Sequence, residues 1–177
     1  MDPLARGREL LESAVSYALA SATLGTARLL SRPTPCPGWD LETLLDHVSE
    51  SIGVLHDAVV TGASGPRRGY PGPEHDPVAR LRGEATGLLH AYASAGPGEV
   101  ALGDRKLSVS MVAVTGAIEI TVHGWDISVA PAQPAPAMSS SPFSAASHGP
   151  RPCCGLSVAK EGCWLAATPA SLAGLYQ

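Results

Sequence analysis

Apolar residues recur at intervals of three and four along most of the first 130 positions, which is the spacing that lines one face of an α-helix. This pattern predicts four helices, and their expected limits are Leu4 to Leu30, Asp40 to about Val60, Asp76 to Tyr92, and Ser108 to about Ala130. Four helices joined by loops in one domain favour an all-α fold, a four-helix bundle.

The residues at the helix ends agree with these limits. An aspartate followed by proline, at positions 2–3 and again at 76–77, supplies an N-cap and a first-turn proline. Three prolines between Ser31 and Trp39 forbid continuation of the first helix, and Asp40 then caps the second. Residues 61–75 are rich in glycine and proline, which is typical of an exposed loop, and a short extended segment is expected at 99–102.

Two of the helices differ in how their polar residues are arranged. In the second helix the apolar residues form one stripe, and Asp46, Glu50 and Asp57 are expected on the opposite, solvated face. The fourth helix is apolar nearly all the way round, so we expect it to be the most buried. Trp39 and Trp125 are expected to pack in the core or as a lid, although either could line a pocket.

The character of the chain changes after Ala130. Residues 131–142 are a low-complexity stretch of proline, alanine and serine, and the remainder to Gln177 has no clear helical stripe. We therefore divide the chain into a helical bundle, residues 1–130, and a tail, residues 131–177, of unassigned structure. One hypothesis is that this tail is a divergent or out-of-frame extension.

Composition excludes several classes of function. With 177 residues the chain is long enough for one domain with a real core, and its formal charge of −4 leaves no basic footprint for nucleic acid. No apolar run is long enough to span a bilayer and no signal peptide is evident, so a cytoplasmic protein without a membrane partner is expected. The four cysteines, of which three are crowded into the tail, form no disulfide framework, and reduced thiols are expected.

The candidate chemistry lies on the fourth helix, where Glu119 and His123 are one helical turn apart in an apolar run. The i, i+4 spacing places both on one face, where a carboxylate and an imidazole can converge on one ion. A lone buried charge is very costly, so this pair must be paired, protonated or bound to a metal. His47 falls within the apolar arc of the second helix and can supply a third ligand.

Together His47, Glu119 and His123 make the two-histidine, one-glutamate set that zinc uses in catalytic sites, with a fourth position open for water or substrate. Because one ligand is a carboxylate, nickel, cobalt or iron would also suit the set, and zinc is the first choice. Two alternatives stay open: His47 as a core histidine bonded to a backbone carbonyl, and a metal-free bundle in which Glu119 only hydrogen-bonds a histidine.

Asp126 and Cys36 are two further candidates for the site. Asp126 follows His123 by three residues on the same side of the helix, so it either orients an imidazole or holds a substrate cation, or else faces water near the helix end. Cys36, between two prolines, is either a thiol beside the metal or a small buried residue.

Two motifs carry a resemblance to a known family. They are Thr34-Pro-Cys-Pro-Gly-Trp-Asp-Leu-Glu-Thr-Leu-Leu-Asp-His-Val48 and Glu119-Ile-Thr-Val-His-Gly-Trp-Asp126. In this order and on these helices, they resemble the metal-binding N-terminal domain of the mycothiol-dependent maleylpyruvate isomerase family, part of the wider DinB-like group of four-helix bundles. The resemblance covers roughly residues 4–130, and the tail departs from it.

The resemblance implies both a ligand set and a chemistry. Metal ligands in that family are the histidine next to the end of the first motif and the Glu-x-x-x-His of the second, which correspond to His47, Glu119 and His123. It also implies that a low-molecular-weight thiol such as mycothiol is activated on zinc to attack an electrophilic substrate in an isomerase or S-transferase reaction. In the mechanism that we expect, Asp126 is a catalytic residue that accepts the released proton or orients His123. The alternatives are a non-catalytic metal-binding or stress-response bundle and a homodimer whose metal only joins two helices.

Overall fold

Four α-helices dominate the part of the chain that the structure describes. The computed structural model describes residues 2–23, 29–64, 76–102 and 104–132. Two antiparallel strands join the third helix to the fourth, and a short 3₁₀ turn at 130–132 follows the fourth. The elements are α1 (Pro3–Thr23), α2 (Leu41–Thr61), α3 (Pro77–Ser94), β1 (Glu99–Leu102), β2 (Arg105–Ser108) and α4 (Val109–Val129). The predicted four-helix bundle is thus confirmed.

The helices begin where their capping residues predicted. Asp40 and Ser108 each accept a hydrogen bond from the backbone N–H three residues on, at 2.9 and 3.2 Å. Asp76 accepts two such bonds, from Val78 and Ala79. Each cap satisfies donors that have no partner within the first turn of a helix.

The helix ends were predicted less well than the starts. Leu29 and Leu30 lie in a turn and not in α1, so the predicted first helix was too long. The extended segment at 99–102 is confirmed as β1, but its partner β2 was not predicted, because Arg105–Ser108 carries little apolar alternation. Most of the predicted exposed loop and nearly all of the tail lie outside the described residues, so both stay predictions.

α1 and α4 run in the same direction and approach very closely. A Cβ placed on Gly7 would lie 2.9 Å from the Cβ of Ala113, and one placed on Gly124 would lie 3.3 Å from the Cα of Ala18. The residue numbers rise together along both helices, so the pair is parallel. Small residues at these crossings let the two backbones come together.

α2 runs against α4 and alongside α3. Leu55, near the end of α2, contacts Gly116 in the first half of α4, whereas His47, near the start of α2, contacts Glu119 farther along. Between α2 and α3, Asp46 pairs with Arg80 near the start of each helix. The bundle therefore has an up-down-down-up arrangement, which brings the first half of α2 opposite the second half of α4.

Two expectations about exposure are wrong. Asp46 is only 3% exposed and not on a solvated face, because Arg80 from α3 reaches its carboxylate at 3.0 Å. α4 is not the most buried helix: 11 of its residues are buried against 12 in α2, which has the same length, and Met111, Ile118 and Trp125 are each about half exposed, with Trp125 at 54%. α4 packs on α1 and α2, so its face turned away from both is uncovered by the described elements. None of the described helices is long and apolar enough to cross a bilayer.

The close approach of α1 to α4 makes Gly7→Ala a test of the fold. The added methyl would lie 2.9 Å from the Cβ of Ala113 and 3.2 Å from the carbonyl oxygen of Ser110, and neither can move without moving the α4 backbone. Overpacking of this kind costs about 1–3 kcal/mol, so we expect a net loss of stability despite the better helix propensity of alanine. Urea unfolding measures it.

Gly83→Ala is the matched control, because Gly83 is exposed on α3 and nothing lies within 4 Å of its added Cβ. This variant should be more stable than wild type by about 0.5–1 kcal/mol. Equal unfolding midpoints for the two variants would show that α1 and α4 do not pack as described.

Candidate metal centre

A buried carboxylate lies between two imidazole rings. Glu119 is 4% exposed, and its Oε1 lies 3.2 Å from Nε2 of His123 and 3.5 Å from Nε2 of His47. The ligand atoms of these three side chains all lie within 4.8 Å of one another. α4 supplies Glu119 and His123 on one face, one turn apart, and the antiparallel α2 supplies His47 from across the interface.

The two histidine rings meet edge to face. Their centroids are 5.1 Å apart and their planes are nearly perpendicular, so both Nε2 atoms can point to the same carboxylate oxygen. The His47 side chain is 15% exposed, whereas Glu119 and His123 are almost fully buried. Solvent therefore reaches this cluster from the side of His47.

The charges of Glu119 and His123 hold each other in place. Burial by itself would raise the pKa of Glu119, but hydrogen bonds from His123 and His47 and the positive charge they can carry lower it to about 2. Burial would lower the pKa of His123, but hydrogen bonds to Cys36 and Glu119, the charge of Glu119 and a bond to Asp126 raise it to about 10. Without a metal, these two groups form a buried ion pair at neutral pH.

Asp126 and Cys36 lie on the other edge of the His123 ring. Asp126 Oδ2 is 3.0 Å from His123 Nδ1, and the same oxygen is 3.5 Å from the Cys36 Sγ atom. Both side chains are buried. Of the two alternatives for Asp126, the one in which it faces water is therefore excluded, and its contact with Nδ1 is the arrangement that the orienting role requires.

The loop before α2 covers this cluster. The Thr34 hydroxyl donates to the Trp39 carbonyl at 3.0 Å, and the Trp39 N–H donates to the Cys36 carbonyl at 3.1 Å. The Trp39 ring packs against His47 with a centroid distance of 4.8 Å. One short loop therefore places Cys36 against Asp126 and Trp39 against His47.

The three grouped side chains fit a metal ion in their chemistry, and the two separations from Glu119 fit one in distance. Two ligands bound tetrahedrally at the usual zinc–nitrogen and zinc–oxygen lengths lie roughly 3.3 Å apart. The two separations from Glu119 Oε1, 3.2 and 3.5 Å, lie on either side of that value. The same separations are also those of hydrogen bonds, so the geometry suits either a cation or a proton between these atoms.

The structure brings together all four side chains that the sequence singled out, His47, Glu119, His123 and Asp126. Cys36 also belongs to this cluster. The sequence left it open whether Cys36 is a thiol beside the metal or a small buried residue, and the only local sign of a place in the site was its position in the first family motif. Trp125 is about half exposed and not part of the core. The ligand roles themselves stay predictions.

A protein-family model matches the helical part of the chain. A family model described as the mycothiol maleylpyruvate isomerase N-terminal domain matches residues 11–128. The match covers about two thirds of the chain and includes every residue of the cluster, whereas it excludes the whole tail. No curated protein matches the chain.

The buried Glu119–His123 pair makes a prediction about the pH dependence of the metal-free protein. A carboxylate whose pKa falls from 4.5 to about 2 on folding stabilises the fold above pH 4.5 and loses that effect as the pH falls toward 2. A histidine whose pKa rises from 6.5 to about 10 stabilises the fold below pH 6.5 and loses that effect as the pH rises toward 10.

The Glu119–His123 contact contributes to both shifts, so we expect the melting temperature of the metal-free protein to be highest between about pH 4.5 and 6.5 and to fall on both sides. Thermal unfolding in the presence of a chelator measures this. Glu119→Gln removes the carboxylate and should flatten the alkaline side. An alkaline slope that Glu119→Gln leaves unchanged would contradict the assignment.

Proposed function

The chain belongs to the mycothiol maleylpyruvate isomerase N-terminal domain family, and on that premise we propose that it binds a divalent metal, with zinc as the ion, and activates a low-molecular-weight thiol such as mycothiol for attack on an electrophilic substrate. His47, Glu119 and His123 would hold the ion. The observation that carries the proposal is the convergence of their ligand atoms within 4.8 Å, from two helices that belong to one bundle.

The types of donor support zinc and an open site. Two imidazoles and one carboxylate are a catalytic zinc set, whereas a closed structural site has four protein ligands. Cys36 does not complete such a set, since its Sγ atom lies against Asp126 on the Nδ1 side of His123. The fourth position would open toward His47, the most exposed of the three, and a thiol sulfur could enter there.

Each side chain has a defined task in this proposal. When bound, zinc would lower the pKa of a coordinated thiol and keep its sulfur nucleophilic at neutral pH. Glu119 lowers the net charge of the site, and Asp126 orients His123 through Nδ1. Because Asp126 is buried behind His123, we assign it to positioning rather than to contact with substrate.

An electrophilic carbon, such as that of an activated double bond or an epoxide, is the substrate class that a thiolate of this kind attacks. Such chemistry needs reduced thiols, and we therefore propose the cytoplasm as the compartment. An isomerase would return the thiol at the end of the reaction, whereas an S-transferase would leave it on the product. Whether turnover consumes the thiol thus separates the two activities.

A second candidate function is metal binding without turnover. The three ligands come from α2 and α4 alone, so a bound ion would also cross-link these two helices. In that case the metal would stabilise the bundle, yet the protein would show no affinity for thiols. The metal-free bundle, in which Glu119 only accepts hydrogen bonds from the histidines, is the alternative if no metal is present at all.

We expect protein purified without a histidine tag to contain about one zinc per chain, and we expect His47→Ala to lose most of it. Loss of a group that only orients a ligand costs roughly 10–100-fold in metal affinity, so loss of a ligand should cost at least as much. Elemental analysis by mass spectrometry measures the content. His90→Ala is the control, because His90 lies exposed on α3 and should leave the content unchanged.

Full zinc occupancy in His47→Ala would contradict the ligand assignment, and a metal-free wild-type protein that takes up no added zinc would contradict the proposed function.

If the protein is an enzyme, its activity should depend on both zinc and a thiol. Zinc-loaded protein should accelerate the loss of an activated alkene in the presence of a low-molecular-weight thiol, and the chelated protein should not. Absorbance of the alkene follows the reaction. Zinc-dependent stability together with no acceleration and no thiol binding would favour the non-catalytic alternative.

A further inference from the structure

The Cys36 thiol is a buried polar group that the proposed function does not use. It is 6% exposed, and its loop is fastened at both ends: the Leu41 N–H donates to the Arg32 carbonyl, and the Thr34 N–H donates to the Trp39 carbonyl. The Cys36 N–H also donates to the Thr34 hydroxyl at 3.2 Å. The loop therefore holds Cys36 in one place against α4, 90 residues away in sequence.

The thiol shares an acceptor with His123. Oδ2 of Asp126 accepts from the Cys36 S–H at 3.5 Å and faces Nδ1 of His123 at 3.0 Å. An aspartate side chain with one partner on its own helix can still rotate to a different rotamer. A second donor, from a separate and internally bonded loop, restricts that rotation.

We propose that Cys36 is a positioning residue for the metal centre. Its S–H holds Asp126 in the rotamer that accepts the His123 Nδ1–H, and the ring is thereby turned so that Nε2 points at Glu119 and His47. The inference rests on the proposed function, since it concerns the geometry of the ligand His123. In this arrangement the loop holds the imidazole of His123 through two successive hydrogen bonds, the first from Cys36 to Asp126 and the second between Asp126 and His123.

A different role for the same atoms is that Cys36, His123 and Asp126 bind a cation of their own, since their ligand atoms also lie within 4.8 Å of one another. Such a cation would need Nδ1 of His123. If Nε2 also held a metal, the ring would have to lose both of its N–H protons. The positioning role needs no such loss, because a ring bound through Nε2 keeps its Nδ1–H for Asp126.

The test compares zinc affinity in wild type, Cys36→Ser and Cys36→Val by competition with a chromophoric chelator. Serine keeps an O–H donor on a shorter bond, and valine fills the space but donates nothing. Orienting partners of metal-bound histidines contribute roughly 10–100-fold to affinity, so we expect Cys36→Val to bind zinc about 10-fold more weakly, with Cys36→Ser in between. A role in packing alone predicts the opposite order, with valine closer to wild type.

If Cys36 acts through Asp126, its effect on zinc affinity should depend on the Asp126 carboxylate. In an Asp126→Ala background, the Cys36→Val change should have little further effect on zinc affinity, because the carboxylate that transmits it is gone. Additive losses in the double variant would overturn the inference. Cobalt-loaded wild type should show no thiolate-to-metal charge-transfer band. A band in wild type that is absent in Cys36→Ser would show that Cys36 is a ligand and would overturn the positioning role.

The metal-free protein supplies a readout that does not depend on the proposed function. Nitrogen-15 NMR of the histidine side chains should show a His123 Nδ1–H protected from exchange in wild type and less protected in Cys36→Val. If wild type binds zinc and Cys36→Val binds it equally well, the inference fails and the proposed function stands. If wild type binds no zinc but the Nδ1–H protection depends on Cys36, the proposed function fails and the hydrogen-bond chain stands.

Discussion

The interaction on which the structure depends is the contact of the Glu119 carboxylate with two imidazoles in an otherwise apolar interface. A buried carboxylate without a partner would be very costly, so α4 must turn this residue toward groups that can donate hydrogen bonds to it. His123 satisfies that need from the same helix and His47 from the facing one. The rotation of α4 about its axis and its pairing with α2 both follow from this contact.

The small residues of α4 make that rotation possible. Gly116 leaves room for Leu55 of α2, and Gly124 and Ala113 leave room for the backbone of α1. α4 can therefore lie close to two helices at once while keeping Glu119 and His123 between them. The cost is that its third face, with Met111, Ile118 and Trp125, has no described helix to cover it.

Most of the fold was predictable because its signals are local. Caps at Asp40, Asp76 and Ser108 depend on hydrogen bonds within three residues, and helical spacing shows directly that Glu119 and His123 share a face. Burial was predicted less well. Asp46 pairs with Arg80 on another helix, and a helix with apolar residues all round shows no preferred inward face, so the exposure of Trp125 could not be read from it.

The contact between Cys36 and Asp126 could not be predicted from the sequence, because it joins distant parts of the chain. Its partner Asp126 is 90 residues away, and the spacing of prolines around Cys36 says nothing about which helix the loop will touch. The family motif ties the loop to the first histidine, His47, but it does not reveal that the loop also reaches the second, His123, by way of Asp126. Only the antiparallel packing of α2 on α4 brings the two motifs to the same end of the bundle.

The buried pair also bears on the choice between a catalytic and a purely structural metal. In the metal-free state Glu119 already has a positive partner, because the pKa of His123 is raised to about 10 and its ring stays protonated at neutral pH. A metal that binds through Nε2 would replace the proton on that atom. The carboxylate of Glu119 would then have a positively charged neighbour both without the metal and with it. The charge of Glu119 is then compensated with or without an ion, so under the proposed function the reason to bind one would be its open coordination position.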